Sequence, residues 1–274
     1  MTREIVEAFG LTDAGNVRQF NEDRIAVASD IGVVVLADGM GGHRAGDIAS
    51  HMAADIIVDG LRNDLSEDRA SHPQHSPLLA LNKSINQANR TIYEAAQHDE
   101  ARRGMGTTLA AAIFHPHGVA IGHVGDSRIY RLRNGRLSLL TRDDSLLRQQ
   151  IEAGMIAVSD IADSHNRSLV TQALGVAETV TAHLRDVDAL PGDLFLLCSD
   201  GLNDLVDDDD IALIVHSLSA NLPLAAQVLV QTAKDNGGYD NVSVILVRAL
   251  RGSRTPPGTG WLARLADWLR GKVH

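Results

Sequence analysis

Four aspartates of the 274-residue chain each abut a strongly apolar run: Asp38 follows GVVVLA, Asp126 follows VAIGHVG, Asp200 follows LFLLCS, and Asp240 precedes NVSVILV. Three of them touch glycine, and the fourth lies in GGYDN with two glycines just before it. One Asp-Gly at a strand end is an ordinary turn. Four such placements ask for another account. If the strands bring these ends together, the carboxylates repel one another and lose hydration unless cations neutralise them. Oxygen donors with no nearby cysteine or paired histidine select hard ions, Mg²⁺ or Mn²⁺, over zinc. Glycine beside such a ligand lets a backbone carbonyl and water join the coordination shell.

The elements that must position these residues are legible as hydrophobic periodicity. β-Branched runs predict strands at about 4–10, 24–29, 32–37, 107–114, 118–124, 127–132, 180–187, 193–199 and 242–249. Helical patterns cover about 45–62 and 78–98, separated by the loop-like SEDRASHPQHSP, and a second pair falls near 210–218 and 223–235. Strands in groups with helices in pairs predict two packed sheets with helices outside, an α+β arrangement, instead of alternating βαβ units.

Composition narrows the functional classes. At 44% hydrophobic and 22% charged residues, the chain has the balance of one large globular domain. MTREIVEAFG lacks the basic and apolar regions of a signal peptide, and no run approaches the roughly 20 apolar residues of a membrane span, so a cytoplasmic protein is expected. A net charge of −10 argues against a general binder of nucleic acid or anionic membranes. The lone cysteine, Cys198, fits a reducing compartment, and CSDGLND places Asp204 where a cysteine phosphatase needs arginine, so Cys198 reads as an inert core residue. His72 and His75 read as loop residues, and the acidic run 207–210 reads as a helix N-terminus.

Six segments carry a resemblance: DAGNVRQFNEDR (13–24), LADGMGGH (36–43), GMGTTL (104–109), GHVGDSRIYRL (122–132), LLCSDGLND (196–204) and GGYDNVSVILV (237–247). In order and content they resemble the motifs of the metal-dependent protein phosphatases of the PPM or type 2C family, in its compact bacterial branch. The resemblance implies a four-layer αββα sandwich of two mostly antiparallel sheets flanked by helix pairs. It implies a binuclear Mn²⁺ or Mg²⁺ centre and hydrolysis of phosphoserine and phosphothreonine in proteins. Asp38 would bridge the metals, the Gly39 carbonyl would bind one, Asp200 and Asp240 the other, and Glu22 would act through water. Asp126, with Asp200, matches a weaker third metal site; Asp23 and Asn241 would support the ligands; Arg18 would hold the substrate phosphoryl group. A water shared by two divalent ions becomes nucleophilic near neutral pH, so no covalent phosphoenzyme is required, and the guanidinium fork can orient phosphorus for in-line attack.

Departures and alternatives accompany the resemblance. Met40 stands where many eukaryotic relatives carry a histidine thought to protonate the leaving alkoxide, so His43 is the nearest candidate general acid, in competition with a water held by metal. Asp144 stands where bacterial relatives usually show histidine, at the start of a segment, about 144–168, that resembles the family's flap; it could alter substrate preference or sit in solvent. The alternatives to an active protein phosphatase are a catalytically silent phosphoprotein-binding relative and a two-metal hydrolase of small phosphoesters. Expected partners are phosphorylated proteins and a cognate Ser/Thr kinase, with the protein itself a monomer. The catalytic domain is expected over 1–250, a Pro/Gly linker over 251–260 and an amphipathic helix over 261–274. In that helix Trp261, Leu262, Leu265, Trp268 and Leu269 share one face, which needs its own domain, a partner protein or a membrane surface to cover it.

Overall fold

Strand β3 (Val33–Met40) shows why the chain layers as it does. Val33, Val35 and Ala37 pack toward one side and Val34 and Leu36 toward the other, and all five are fully buried. Because side chains alternate along a strand, a sheet with both faces apolar must be covered twice. A computed structural model of the protein, which describes residues 5–41, 45–65, 76–153 and 169–250, shows how.

One sheet runs in the order β1 (Val6–Asp13), β11 (Val242–Ala249), β10 (Leu194–Cys198), β7 (Arg128–Arg133), β8 (Arg136–Leu139). The other runs β2 (Asp23–Ala28), β3, β5 (Leu109–His115), β6 (Gly118–Val124), β9 (His183–Val187), and the two-residue β4 (Gly106–Thr107) pairs with the end of β3. Every pairing is antiparallel.

Between the sheets lie Val34, Leu36, Ile121, Ile129, Phe195 and Ile245 among others. Phe114 and Phe195 meet edge to face across this layer, ring centres 5.2 Å apart, a contact worth about 0.5–1.5 kcal/mol beyond its area. Helices α1 (Ala45–Asp64) and α2 (Pro77–His98) cover the outer face of the second sheet, with Ile57, Leu61, Leu81 and Ile85 against Val33, Val35 and Ile113. A Cβ on Gly122 would stand 2.8 Å from Ile85 Cδ1 and 2.9 Å from Leu81 Cδ2, so glycine there lets α2 lie close on β6. After the short α3 (Leu146–Glu152) and α4 (Asp200–Asn203), helices α5 (Asp208–Ser217) and α6 (Leu222–Asp235) cover the first sheet through Ile211, Val215 and Leu229 against Tyr130, Leu196 and Val244. The result is the expected αββα order of layers.

Several boundaries differ from the sequence expectation. β3 runs on through Asp38 and Gly39 to Met40, because Gly39 and Met40 pair with Thr107 and Gly106. β1 extends to Asp13, held by pairing with Val242. Strand β8 went unrecognised: RLSL has no β-branched residue, and its signal is the Asn134-Gly135 turn, where both residues have positive φ, 52° and 75°. The acidic run behaves as expected, with the Asp207 side chain accepting the Asp210 N–H at 2.9 Å to cap α5. Cys198 is buried in the core beneath α6, and burial pushes its thiol up to about 12. His72, His75, the linker and the C-terminal amphipathic segment lie outside the described residues.

Candidate metal centre

Asp38 sits directly opposite Asp23 in the β2–β3 ladder. Its backbone is fully engaged: its N–H donates to Thr108 Oγ1 at 3.1 Å, and its carbonyl accepts the Thr108 N–H and the Thr107 hydroxyl, each at 2.8 Å. The next residue fixes the approach of α1. A Cβ on Gly39 would fall 2.2 Å from the Gly46 carbonyl oxygen, and one on Gly46 would fall 2.7 Å from Gly39 C, so the first turn of α1 rests directly on the strand end.

A second group is stitched by Asn241, at the entrance to β11. Its Oδ1 accepts the Glu22 N–H at 2.8 Å, and its Nδ2 donates to the Ala14 and Phe20 carbonyls at 3.1 and 2.9 Å. One amide thereby holds both ends of the loop that carries Arg18 and Glu22. Within that loop Arg18 Nη2 donates to Asp240 Oδ2 at 2.6 Å, with both side chains partly open to solvent.

Asp200 opens α4 immediately after β10. The preceding Ser199 hydroxyl donates to Asp23 Oδ2 at 2.8 Å and accepts the Ser243 N–H at 3.0 Å, which ties β10, β11 and β2 together beneath the site. Asp126 follows Gly125, whose φ of 100° turns the chain out of β6.

These elements bring Arg18, Glu22, Asp38, Asp126, Asp200 and Asp240 to the wall of one cavity of about 410 Å³, with Gly39 and Asn241 beside them. Asp38 and Asp200 are pushed well above the usual carboxylate range, first by burial and then by neighbouring acids, Asp23 and Asp200 for the former, Asp126 and Asp204 for the latter. Asp126 is pushed up to about 7 by burial and by Asp143. Burial also raises Asp23 to about 6, against the hydroxyls of Ser243 and Ser199 that hold it down. Glu22 Oε1, Asp23 Oδ1 and Asp200 Oδ1 are buried without any hydrogen-bond partner. Among the described residues no three such side chains already converge on one ion-sized point. Carboxylates lining one wall repel one another when ionised, and a divalent cation would neutralise them. An all-oxygen donor set with orphaned, crowded carboxylates fits Mg²⁺ or Mn²⁺.

The cavity thus unites every sequence-derived ligand position, with Arg18 at its mouth and Asp23 beneath. His43 lies outside the described residues, as do residues 154–168 of the expected flap. Asp144 is not a solvated acid: its side chain is 14% exposed. It accepts the Gly125 N–H through Oδ2 at 3.0 Å and pairs through Oδ1 with His183 Nε2 at 2.8 Å, while its own N–H donates to the Gly125 carbonyl at 2.6 Å. It therefore braces the turn that presents Asp126. Thr108, Leu169 and Val170 also line the cavity and escaped the sequence reading, although Thr108 belongs to the GMGTTL motif.

The sequence family described as Protein phosphatase 2C matches residues 15–232. The serine/threonine phosphatase stp of Listeria welshimeri is 37% identical over 239 residues, spanning 86% of this chain and 93% of its own. A serine/threonine phosphatase from S. agalactiae superposes with a TM-score of 0.79 at 36% identity, covering 89% of this chain and 99% of the other. The catalytic domain of serine threonine protein phosphatase PstP, solved in complex with two manganese ions, superposes with a TM-score of 0.77 at 31% identity, covering 90% of this chain and 99% of that one.

Proposed function

This chain belongs to the protein phosphatase 2C family, and we propose that the carboxylate-lined cavity is the place where it hydrolyses phosphoserine and phosphothreonine esters of proteins. It is a metal-dependent serine/threonine protein phosphatase. Asp38 with the Gly39 carbonyl, and Asp200 with Asp240, would hold two Mn²⁺ or Mg²⁺ ions, with Glu22 acting through water and Asp126 at a weaker third position. When bound, such ions supply Lewis acidity, lowering the pKa of water and offsetting charge on phosphoryl oxygens.

The chain's own groups do the rest. Arg18, on a loop clamped by Asn241, exchanges its Asp240 partner for the phosphoryl oxygens and orients phosphorus for attack by water. Asp23, held by Ser199 beneath the ladder, keeps Asp38 in place. The ester oxygen leaves with a proton, for which His43 is the candidate donor.

The observation that carries this reading is the convergence of five acids and one arginine on one cavity while burial and mutual repulsion raise Asp38 and Asp200. Hydrolysis of a phosphothreonine peptide in Mn²⁺, its loss in chelator and its absence in Asp38→Asn test it. Turnover of nucleotides in place of the peptide would favour the small-phosphoester alternative, and metal-dependent phosphopeptide binding without turnover would favour the silent one.

The substrates are phosphorylated proteins. Opposition to a Ser/Thr kinase, a monomeric state, a cytoplasmic setting and a C-terminal segment that follows a catalytic domain of residues 1–250 and docks on that domain, a partner protein or a membrane surface complete the proposal. Among the described residues no helix is long and apolar enough to cross a membrane.

A further inference from the structure

Arg18 stands on a platform built from two loops, residues 14–22 between β1 and β2 and residues 236–241 between α6 and β11. Their backbones lock together. The Asn16 N–H donates to the Gly238 carbonyl at 2.8 Å, and Asn16 Nδ2 donates to the Lys234 and Gly237 carbonyls at 2.7 and 3.2 Å. A Cβ on Gly15 would fall 2.1 Å from the Asp240 carbonyl oxygen, so the two loops touch with no side chain between them. The platform is rigid before any substrate arrives.

Beside the Arg18–Asp240 pair this platform holds apolar side chains out in solvent. Tyr239, the chain neighbour of Asp240, is 65% exposed, and Val17, the chain neighbour of Arg18, is 63% exposed. A scattered exposed apolar residue is ordinary, but these two flank the pair at the mouth of the acidic cavity. The tyrosine ring is steadied from one side: a Cβ on Gly237 would stand 2.6 Å from its Cε2 and Cζ, so the ring rests on glycine backbone. The charges around it are already engaged, Lys234 with Asp13 at 3.0 Å and Arg18 with Asp240. The surface left open is therefore apolar, and half-exposed Leu169 with Val170 continues it along the cavity lining.

Resting on the phosphatase reading of the cavity, we propose that Tyr239, together with Val17, receives the side chain next to the phosphorylated residue and selects protein substrates that carry an apolar residue there. Consecutive Cα atoms lie about 3.8 Å apart, so a phosphoresidue whose phosphoryl group reaches Arg18 brings its chain neighbours over the loops that carry Arg18 and Asp240. Tyrosine offers a large apolar face with only two side-chain torsions to order. Contact there is made by the peptide and not by the reacting phosphoryl group, so Tyr239 sets specificity without entering the chemistry.

The test assays the full-length chain in Mn²⁺ on three phosphothreonine peptides that differ only at the two residues flanking the phosphothreonine, which are both leucine, both serine or both arginine. kcat/KM for the leucine peptide should exceed that for the serine peptide about tenfold, the scale of an apolar side chain partly removed from water. Tyr239→Ala should erase this difference and leave the serine peptide unchanged, whereas Tyr239→Leu should keep most of it. Equal turnover of the leucine and serine peptides, a preference for arginine, a leucine preference that survives Tyr239→Ala, or an equal fall on all three peptides in that variant overturns the assignment. Failure of the parent chain to hydrolyse any of the three would instead sink the phosphatase reading, and the assignment with it.

Discussion

Arg18 and Asp240 grip each other across the mouth of the acidic cavity, Nη2 to Oδ2 at 2.6 Å. The guanidinium expected to receive phosphate is thus prepositioned by a carboxylate expected to receive metal. Binding of a cation at Asp240 would release Arg18 toward substrate, so each group keeps the other in place until both have a use.

Arg18→Ala should therefore lower kcat/KM on a phosphothreonine peptide by about 2–3 kcal/mol, roughly 30- to 150-fold, the loss of a charge-assisted phosphate contact. Thermal stability should change little, because the pair is half open to solvent. Steady-state kinetics beside a melting curve check both halves, and unchanged kinetics would remove Arg18 from the site.

Asp38→Asn and Asp240→Asn should each abolish metal-dependent hydrolysis while leaving the fold intact. In chelator, Asp38→Asn should be at least as stable as the parent, because the crowding that raises Asp38 is relieved. Full turnover by either variant would refute the assignment of the cavity.

Stability should fall with rising pH in chelator. Asp23, held at about 6, and Asp126, held at about 7, keep protons in the folded state that the unfolded chain releases near pH 4. Between those values the native state binds more protons, so each increment of pH favours unfolding until the folded groups have also ionised. Melting temperatures at about pH 5 and about pH 8 check this, and Mn²⁺ should restore most of the loss at the higher pH. A higher melting temperature at the alkaline end in chelator would contradict it.

Asp144→Ala should destabilise the chain by about 1–3 kcal/mol, the cost of leaving the buried Gly125 N–H unsatisfied, while the more exposed Gln172 and His183 lose a partner that water can replace. Denaturant unfolding measures it. A neutral result would show that the turn before Asp126 needs no brace.

Deletion after Gly252 should leave peptide hydrolysis intact, since the first sheet is closed by the Leu250 N–H to the Ile5 carbonyl at 3.0 Å. Comparison of kcat/KM and melting temperature between the two forms decides it. An inactive or unfolded truncation would place the C-terminal segment within the core.

The layers were legible because alternation is local: Val33 to Ala37 announces two buried faces in five residues. The acids of the cavity were legible because each aspartate sits at the end of such a run. Asp144 and His123 were not, since their roles depend on which strands become neighbours. Nothing near Asp144 in sequence points to His183, which lies 39 residues away, and the inward turn of His123 emerges only once β6 takes its place in the second sheet with Val119 and Ile121 facing the first. Strand β8 was missed for lack of branched residues.

The clamp made by Asn241 also sets a timetable. It reaches back 221 residues to the Phe20 carbonyl, and β1 finds its partner in β11, near the other end of the catalytic fold. Such distant closures are among the slowest steps a chain makes. A ribosome-bound chain that lacks its last strand can stack α1 and α2 on their sheet, but it cannot hold Arg18 or Glu22 in register. The loop that carries Arg18 and Glu22 is thus held from the far end of the fold, through Asn241 at the entrance to β11.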